Sequence, residues 1–247
     1  APHVNDHKYD RGHALILAAP ELTGATRLAT MACSRIGAGL TTVLAAEQSH
    51  IYRTTLPPDI MVREEASMPS KLTVCLGGPG GITSDHRHLL FETFNHCPRV
   101  IDADALPHLQ ERKYLDTDCV LTPHEGEFAR LFPELTGSRT ERAVDAAKLV
   151  GCTIVLKGSE TIIARPSGAP VINRHASPYL AKAGTGDVLA GMIAGLIAQK
   201  MPPFEAGCAA VWMHGEAAQR IGIGLMASDI EIQLPAIMRD WLSEDPL

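Results

Sequence analysis

A glycine-rich turn, residues 183–187, carries the residue types of an anion site beside a candidate base. Gly184 and Gly186 let the backbone turn sharply, so that successive amides and the positive end of the following helix converge on a phosphate. Asp187 stands at the helix start, where a carboxylate either caps free amides or acts as a base. Two glycines are more than a cap requires, and we predict a nucleoside-phosphate site with Asp187 as its catalytic base. The predicted phosphate-binding residues are Gly184, Thr185 and Gly186.

A second group of polar residues, His124, Glu125 and Glu127, follows directly after a predicted strand. Ligands of open α/β sheets collect at the carboxyl ends of the strands, so these side chains are placed to meet a substrate or a metal ion. Acidic residues in the first turn of a helix also stabilise the helix dipole without any further role. Both interpretations stay open on the residues alone.

Three more predicted strands end in turns that could bind a ligand. Residues 157–161 combine a lysine, a glycine and hydroxyl side chains, which suits either nucleotide binding through the main chain or an ordinary turn. The glycines of residues 77–81 indicate a close backbone approach or a plain tight connection. Asp102 ends a strand and is a better functional candidate than Asp104, which suits a helix cap.

Composition narrows the class of protein. With 247 residues and 45% hydrophobic content, the chain has the length of one large domain. The net charge of -6 provides no basic field for nucleic acid or anionic lipid, so we expect a small-molecule partner, no nucleic acid and no membrane. Six well-separated cysteines without a C-x-x-C pair are typical of reduced thiols in a cytoplasmic protein. Residues 1–12 lack an apolar signal core, and we interpret them as a boundary segment before a domain of residues 13–247.

The elements that must position these turns alternate between short apolar strands and helical patterns, which is typical of parallel strands joined by crossover helices. Ser228 followed by Glu231 predicts a capped start of the last helix. The predicted strands cover residues 14–17, 40–44, 60–62, 72–76, 100–103, 119–121, 153–157 and 161–164, the last as an edge hairpin. The predicted helices cover residues 25–36, 86–95, 125–131, 141–150, 187–199, 204–221 and 230–241.

Taken together, these motifs resemble the ribokinase-like superfamily and, within it, the ADP- or ATP-dependent NAD(P)H-hydrate dehydratases. The turn of residues 123–127, Pro-His-Glu-Gly-Glu, and the run of residues 102–106, Asp-Ala-Asp-Ala-Leu, are its most specific parts. Many sugar and vitamin kinases share the Gly-x-Gly-Asp turn. The resemblance covers nearly the whole chain and implies a single-domain α/β fold in three layers, α/β/α, with a mostly parallel central sheet.

The resemblance also implies a repair reaction. The hydrated cofactors NADHX and NADPHX would lose water to regenerate NADH or NADPH while ADP or ATP is hydrolysed with Mg²⁺. Glu127 is then expected near Mg²⁺, through water, and the enzyme is expected to be a homo-oligomer. The residues implied to face the hydrate are Ala25, Gly80 or Gly81, His124 and Asp187. The residues implied to face the nucleotide are Lys157, Gly158, Ser159, Glu160, Thr161 and Gly186.

The chain departs from the family pattern around the ligands and not at Asp187. Residues 18–20 are Ala-Ala-Pro where the family has a glycine- and serine-bearing turn, and the Gly-Pro-Gly turn is one residue shorter. Ser177 replaces a frequent asparagine and Lys182 a small hydroxyl residue. Two other functions stay open: an ATP-dependent kinase of a small alcohol such as a vitamin precursor or a sugar, and a nucleotide-binding module without turnover.

Overall fold

A nine-stranded sheet lies at the centre of the computed structural model, which describes residues 7–64, 71–109 and 115–243. Residues 1–6 of the predicted boundary segment therefore lie outside the described chain. The strands are β1 (His13–Leu17), β2 (Leu40–Leu44), β3 (Met61–Arg63), β4 (Val74–Gly77), β5 (Arg99–Ile101), β6 (Cys119–Leu121), β7 (Thr153–Leu156), β8 (Thr161–Ala164) and β9 (Val171–Asn173). Their order in the sheet is β3-β2-β1-β4-β5-β6-β7-β8-β9. Strands β1 to β7 pair in parallel, β8 pairs antiparallel with β7, and β9 pairs antiparallel with β8.

Helices cover both faces of the sheet. They are α1 (Thr23–Arg35), α2 (Ser49–Thr55), α3 (Ser84–His88), α4 (Glu125–Leu131), α5 (Arg139–Val150), α6 (Thr185–Ala198), α7 (Pro203–Ile221) and α8 (Ala227–Ser243). Successive strand residues point to opposite faces, so Ile16 packs in the core under α1, α6, α7 and α8, whereas Leu15 and Leu17 pack in the core under α4 and α5. These two cores confirm the predicted three-layer α/β/α fold. Within the described residues, no helix combines the length and hydropathy needed to cross a bilayer.

Two glycines set the spacing of α1 and α6. A Cβ atom at Gly191 would lie 2.1 Å from the carbonyl oxygen of Ala29, and one at Gly195 would lie 2.5 Å from that of Cys33. Neither position admits a larger residue without a backbone shift. The start of α6, which carries the predicted anion turn, is therefore held directly against α1.

Three local predictions were wrong. Strand β8 pairs with β7 as expected but is not the edge, because β9, a strand of three mostly exposed residues, follows it. Ser228 does not cap the last helix, since Asp229 Oδ2 accepts the amide of Met226 at 2.7 Å. Glu231 pairs instead with Arg35, at 3.1 Å.

Candidate active site

The turns singled out in the sequence lie at one edge of the sheet. Strands β4, β5, β6 and β7 are neighbours and run parallel, so their carboxyl ends meet there. A further bridge joins His124 to Lys157 beyond the ends of β6 and β7. The residues that follow the four strands are Gly78, Asp102, Thr122 and Lys157.

A buried ion pair forms the floor of this edge. Asp102 is 1% exposed, and its Oδ1 accepts hydrogen bonds from Thr122 Oγ1 at 2.6 Å and Lys157 Nζ at 2.9 Å. Burial alone would lower the pKa of Lys157, but the carboxylates of Asp102, Glu127 and Asp187 outweigh it and raise that pKa. Lys157 is therefore a fixed positive charge at the end of β7.

Asp187 is the third residue of α6 and is half-buried. Gly184, which has a φ of 90°, directly precedes α6, and no side chain caps this start, so the capping interpretation of Asp187 is not supported. Burial raises the pKa of Asp187 to about 6, with further contributions from Asp102 and Asp104, while Lys157 opposes the rise. A carboxylate with this pKa is ionised at neutral pH and is still a useful proton acceptor.

Free amides border Asp187. Among the described residues, the amides of Gly186 and Asp187 donate to no acceptor. A Cβ atom on Gly186 would lie 3.5 Å from Lys157 Nζ, so the ammonium group sits beside the same turn. Two amides, a helix start and an ammonium group together suit a phosphoryl group.

Hydrogen bonds from Thr185 and His214 hold the rest of the turn in place. Thr185 Oγ1 lies 2.8 Å from Leu180 O and 2.9 Å from Lys182 O, so this hydroxyl donates within the turn and only the main chain of Thr185 is available to a ligand. Burial lowers the pKa of His214 to about 4, and its Nε2 donates to Thr185 O at 2.9 Å. A neutral histidine thus fixes the carbonyl group at the start of α6.

A cleft of about 590 Å³ opens beside this turn. The predicted nucleotide-binding residues that line it are Lys157, Gly158, Ser159, Thr161, Thr185 and Gly186. Glu160 is not one of its lining residues, because its carboxylate accepts a hydrogen bond from Arg174 Nε at 2.8 Å. Gly184 lies behind the turn, where a Cβ atom would come within 2.7 Å of Leu28 Cδ1.

The predicted hydrate-binding residues Gly80, Gly81 and His124 divide between two hollows, and Asp187 lines neither of them. Gly80 and Gly81 line a separate hollow of about 430 Å³. Gly80 has a φ of 81°, and a Cβ atom there would lie 2.9 Å from the Cβ atom of Ala25, so Ala25 supports this hollow from α1. His124 lies on the other side of Asp102 along the sheet edge and lines the 590 Å³ cleft.

His124 and Glu127 form a reciprocal cap of α4. His124 Nδ1 accepts the amide of Gly126 at 2.9 Å, and Glu127 Oε2 accepts the amide of His124 at 2.7 Å. No group of three or more histidine, cysteine, aspartate or glutamate side chains in the described chain could hold a metal ion. The site therefore fits Mg²⁺ only if phosphate oxygens and water supply most of the ligands, with Glu127 as the protein carboxylate.

Two of the departures from the family pattern, Ser177 and Lys182, precede the anion turn in the chain. Ser177 Oγ accepts the amide of Tyr179 at 3.3 Å and caps a short 3₁₀ turn. Lys182 Nζ donates to Leu225 O at 2.7 Å, so its charge is directed towards the connection before α8. Both side chains therefore bond to the main chain of the protein, and Ser177 lines the 590 Å³ cleft described above.

Sequence reasoning missed Arg139, which contacts both the turn after β7 and the first turn of α4. The pattern Ser138-x-x-Glu141 marks the start of α5 and could have placed Arg139 in a first helical turn, but not against a distant loop.

Three comparisons with known proteins all find similarity to NAD(P)H-hydrate dehydratases. Residues 14–230 match the family model described as NAD(P)H-hydrate dehydratase. A bifunctional NAD(P)H-hydrate repair enzyme of Synechocystis sp. is 32% identical over 264 residues, which cover 96% of this chain and 50% of that protein. The chain thus spans about half the length of the curated relatives it matches.

Solved structures give the same result. A ribokinase-like superfamily protein of Enterococcus faecalis superposes with a TM-score of 0.87 at 27% identity, covering 98% of this chain and 91% of that one. An ADP/ATP-dependent NAD(P)H-hydrate dehydratase of Bacillus subtilis, crystallised with ATP and Mg²⁺, superposes with a TM-score of 0.82 at 28% identity, covering 98% and 94%. The predicted ribokinase-like fold is confirmed.

Proposed function

Because this chain belongs to the NAD(P)H-hydrate dehydratase family, we propose that it converts (S)-NADHX or (S)-NADPHX to NADH or NADPH, with ADP or ATP as phosphoryl donor. The observation that carries the chemical part of this proposal is Asp187. It is a carboxylate with a pKa raised to about 6, directly beside two free amides and the Lys157 ammonium group. Family membership supports the substrate class.

In this proposal Asp187 takes the proton of the ring hydroxyl of the hydrate. The hydroxyl oxygen then bonds to the terminal phosphorus atom of the nucleotide as the bond to the leaving phosphate oxygen breaks. The phosphorylated oxygen leaves the ring with its bonding electrons, and loss of a ring proton restores the double bond. With ADP, the products are the reduced cofactor, AMP and phosphate, so the atoms balance.

Charge stabilisation supplies most of the acceleration expected here. The amides of Gly186 and Asp187 and the ammonium group of Lys157 would face the phosphoryl oxygens. Asp102 would keep that ammonium group in place through the 2.9 Å ion pair. Mg²⁺ would be held by nucleotide phosphates and by water, with Glu127 contacting the bound water, and would neutralise phosphate charge when bound.

The two hollows suggest how the substrates divide. The nucleotide would occupy the 590 Å³ cleft beside residues 157–161, and part of the hydrate would lie towards Gly80 and Gly81. The side chain of Glu160 is directed to Arg174, so we assign its nucleotide contact to the main chain. His124, at the boundary, would face the hydrate from the nucleotide side.

We also propose that the protein is cytoplasmic and forms a homo-oligomer. All six cysteines are free, and those other than Cys208 are buried, which suits a reducing compartment. Light scattering after gel filtration tests the oligomeric state, and a monomer would contradict it.

The test is a reconstitution. The purified chain is incubated with NADHX or NADPHX and with ADP or ATP, with and without Mg²⁺, while absorbance in the NADH band is recorded. We expect regeneration only when a nucleotide is present. Regeneration without any nucleotide, or none under any condition, would overturn the proposal.

The same assay separates the two alternatives. A kinase of a small alcohol would use Asp187 and the same anion turn, but a stable phosphorylated alcohol would accumulate in place of an elimination product. A binding module would bind nucleotide in calorimetry and turn over neither class of substrate.

A further inference from the structure

Arg139 makes three contacts that bridge two parts of the site. At the first turn of α5, its guanidinium donates from Nη1 to Glu160 O at 2.8 Å and from Nη2 to Lys157 O at 3.2 Å. Its Nε donates to Glu125 Oε2 at 3.0 Å. One planar side chain therefore ties both ends of a four-residue stretch of backbone to a carboxylate on α4.

The turn that Arg139 holds has few bonds of its own. Gly158, Ser159 and Glu160 are exposed. Inside the turn, Thr161 Oγ1 lies 3.4 Å from Gly158 N and 3.2 Å from Gly158 O, which are long contacts. The guanidinium thus supplies the shortest hydrogen bond to the main chain between Gly158 and Glu160 among the described residues.

Gly158 has no side chain, and this leaves space for the guanidinium group of Arg139. A Cβ atom at this position would lie 2.4 Å from Arg139 Nη2 and 3.0 Å from its Cζ. The φ of Gly158 is not in the left-handed region, so backbone strain does not require glycine there. A methyl group at this position would instead displace the flexible end of the Arg139 side chain from the turn.

Glu125 connects Arg139 to the other side of the site. It accepts hydrogen bonds from Arg142 and Arg139. The bond from Arg142 makes the largest contribution to lowering the pKa of Glu125, Arg139 lowers it further, and partial burial opposes both. Glu125 lies between His124 and Glu127 in the first turn of α4. Arg142 shares this carboxylate but contacts no part of the turn after β7 among the described residues.

We propose that Arg139 is a positioning residue for the nucleotide, which holds the main chain of residues 157–160 in its binding geometry and fixes it to the turn carrying His124 and Glu127. The Lys157 carbonyl group is one of its two anchor points, so Arg139 also fixes the backbone from which the Lys157 ammonium group extends. This role for Arg139 rests on the proposed function, which identifies the nucleotide as ADP or ATP. Nucleotide binding tests it without any turnover.

The experiment measures binding of ADP and of ATP by calorimetry to the parent chain and to four variants. For Arg139→Ala we expect the Kd of both nucleotides to rise about tenfold, since two hydrogen bonds to the turn are lost. Arg139→Lys should recover little, because an ammonium group cannot span both carbonyl oxygens. Gly158→Ala should resemble Arg139→Ala, with a thermal midpoint close to that of the parent. Arg142→Ala, which breaks a bond to the same Glu125, is the matched control and should bind nucleotide like the parent.

Two further measurements separate positioning from simple destabilisation. Millimolar guanidinium should restore part of the nucleotide affinity of Arg139→Ala and none of that of Gly158→Ala, where the methyl group fills the space. In the dehydration assay, the KM for nucleotide should rise about tenfold in Arg139→Ala while kcat changes less than threefold.

Unchanged nucleotide affinity in a folded Arg139→Ala variant would overturn the proposal. An equal loss in Arg142→Ala would do the same, because it would assign the effect to the packing of α4 on α5. If the parent binds nucleotide but does not dehydrate NADHX, the proposed function fails while the calorimetric result still decides the role of Arg139.

Discussion

Strand β5 is three residues long and has a buried charge at each end. Asp102, just after its carboxyl end, receives two hydrogen bonds and faces the site. Arg99, at its amino end, is 0% exposed and donates from Nη2 to Asp116 at 3.0 Å, while its Nε and Nη1 have no partner in the described chain. The strand register places the buried thiols of Cys75 and Cys119 beside it.

The two ends of β5 differ in what the buried charge can act on. Burying a charged side chain costs free energy at both ends, at Asp102 as well as at Arg99. Only the carboxyl end lies within reach of Asp187 and the free amides, where a fixed charge changes the basicity of a neighbour. We therefore expect changes at Asp102 and Asp187 to alter catalysis, and changes around Arg99 to alter stability alone.

The largest expected effect is at the carboxyl end. Asp187→Asn should lower kcat about 10³-fold, because an amide cannot accept the substrate proton. Nucleotide affinity, measured by calorimetry, should stay within a few-fold of the parent. A variant that keeps a tenth of the parental kcat would remove Asp187 from the role of base.

The next effect is at the amino end. Asp116→Ala should reduce the free energy of unfolding by about 2 to 3 kcal/mol, since Arg99 would be left buried without a counter-charge. The double variant Arg99→Met with Asp116→Ala should recover most of this loss, because the charge is removed as well. Urea denaturation measures both, and kcat should be parental in both. A fall in kcat of the folded variants would show that the two ends are not independent.

Asp102→Asn should have a smaller effect on kcat than Asp187→Asn. It should lower kcat roughly tenfold, because Lys157 loses its charged anchor. The parental kcat should rise with pH through about 6, the pKa of Asp187, and this step should move to lower pH when the neighbouring Asp102 charge is removed. Thr122→Val, which removes one hydrogen bond but no charge, should leave the step in place. An unmoved step in Asp102→Asn would mean that Asp102 does not influence Asp187.

The smallest expected effect is on stability. Asp187 has a pKa of about 6 when folded and an ordinary value of 3.8, so the stability it contributes is present below about pH 4 and is lost as pH rises through 6. Asp187→Asn carries no such charge. It should be more stable than the parent by on the order of 1 kcal/mol at pH 8, after allowance for solvent screening, and nearly equal at pH 4. Thermal unfolding at the two pH values measures this, and a pH-independent difference would contradict the cause given.

Most of the fold could be predicted because it rests on local patterns. Apolar strands and amphipathic helices recur along the chain, and β2, for example, has the predicted bounds. Strand β9 was missed because three exposed residues after a proline- and glycine-containing loop carry neither alternation nor burial. The cap of α8 was misplaced by two residues, since Asp229 as well as Glu231 has a carboxylate that can accept an amide three residues back, and the amide that is bound is that of Met226.

The candidate site was predictable in part. Its turns could be placed at strand ends, and parallel strands bring those ends together. The partners within the site could not be predicted, because Asp102 and Lys157 are 55 residues apart and their 2.9 Å contact depends on sheet order. The same holds for Arg139, whose sequence neighbours indicate a helix start and nothing of the turn it contacts.

The contact of α1 with α6 has a consequence for motion during turnover. Gly191 brings the backbone of α6 against that of Ala29, and Gly195 brings it against Cys33 and the side chain of Ile36, so these helices have little room to slide. The start of α6 with Asp187 and the start of α1 with Ala25 must therefore move as one rigid frame. Entry of substrates and release of products must then rely on parts of the protein outside this frame.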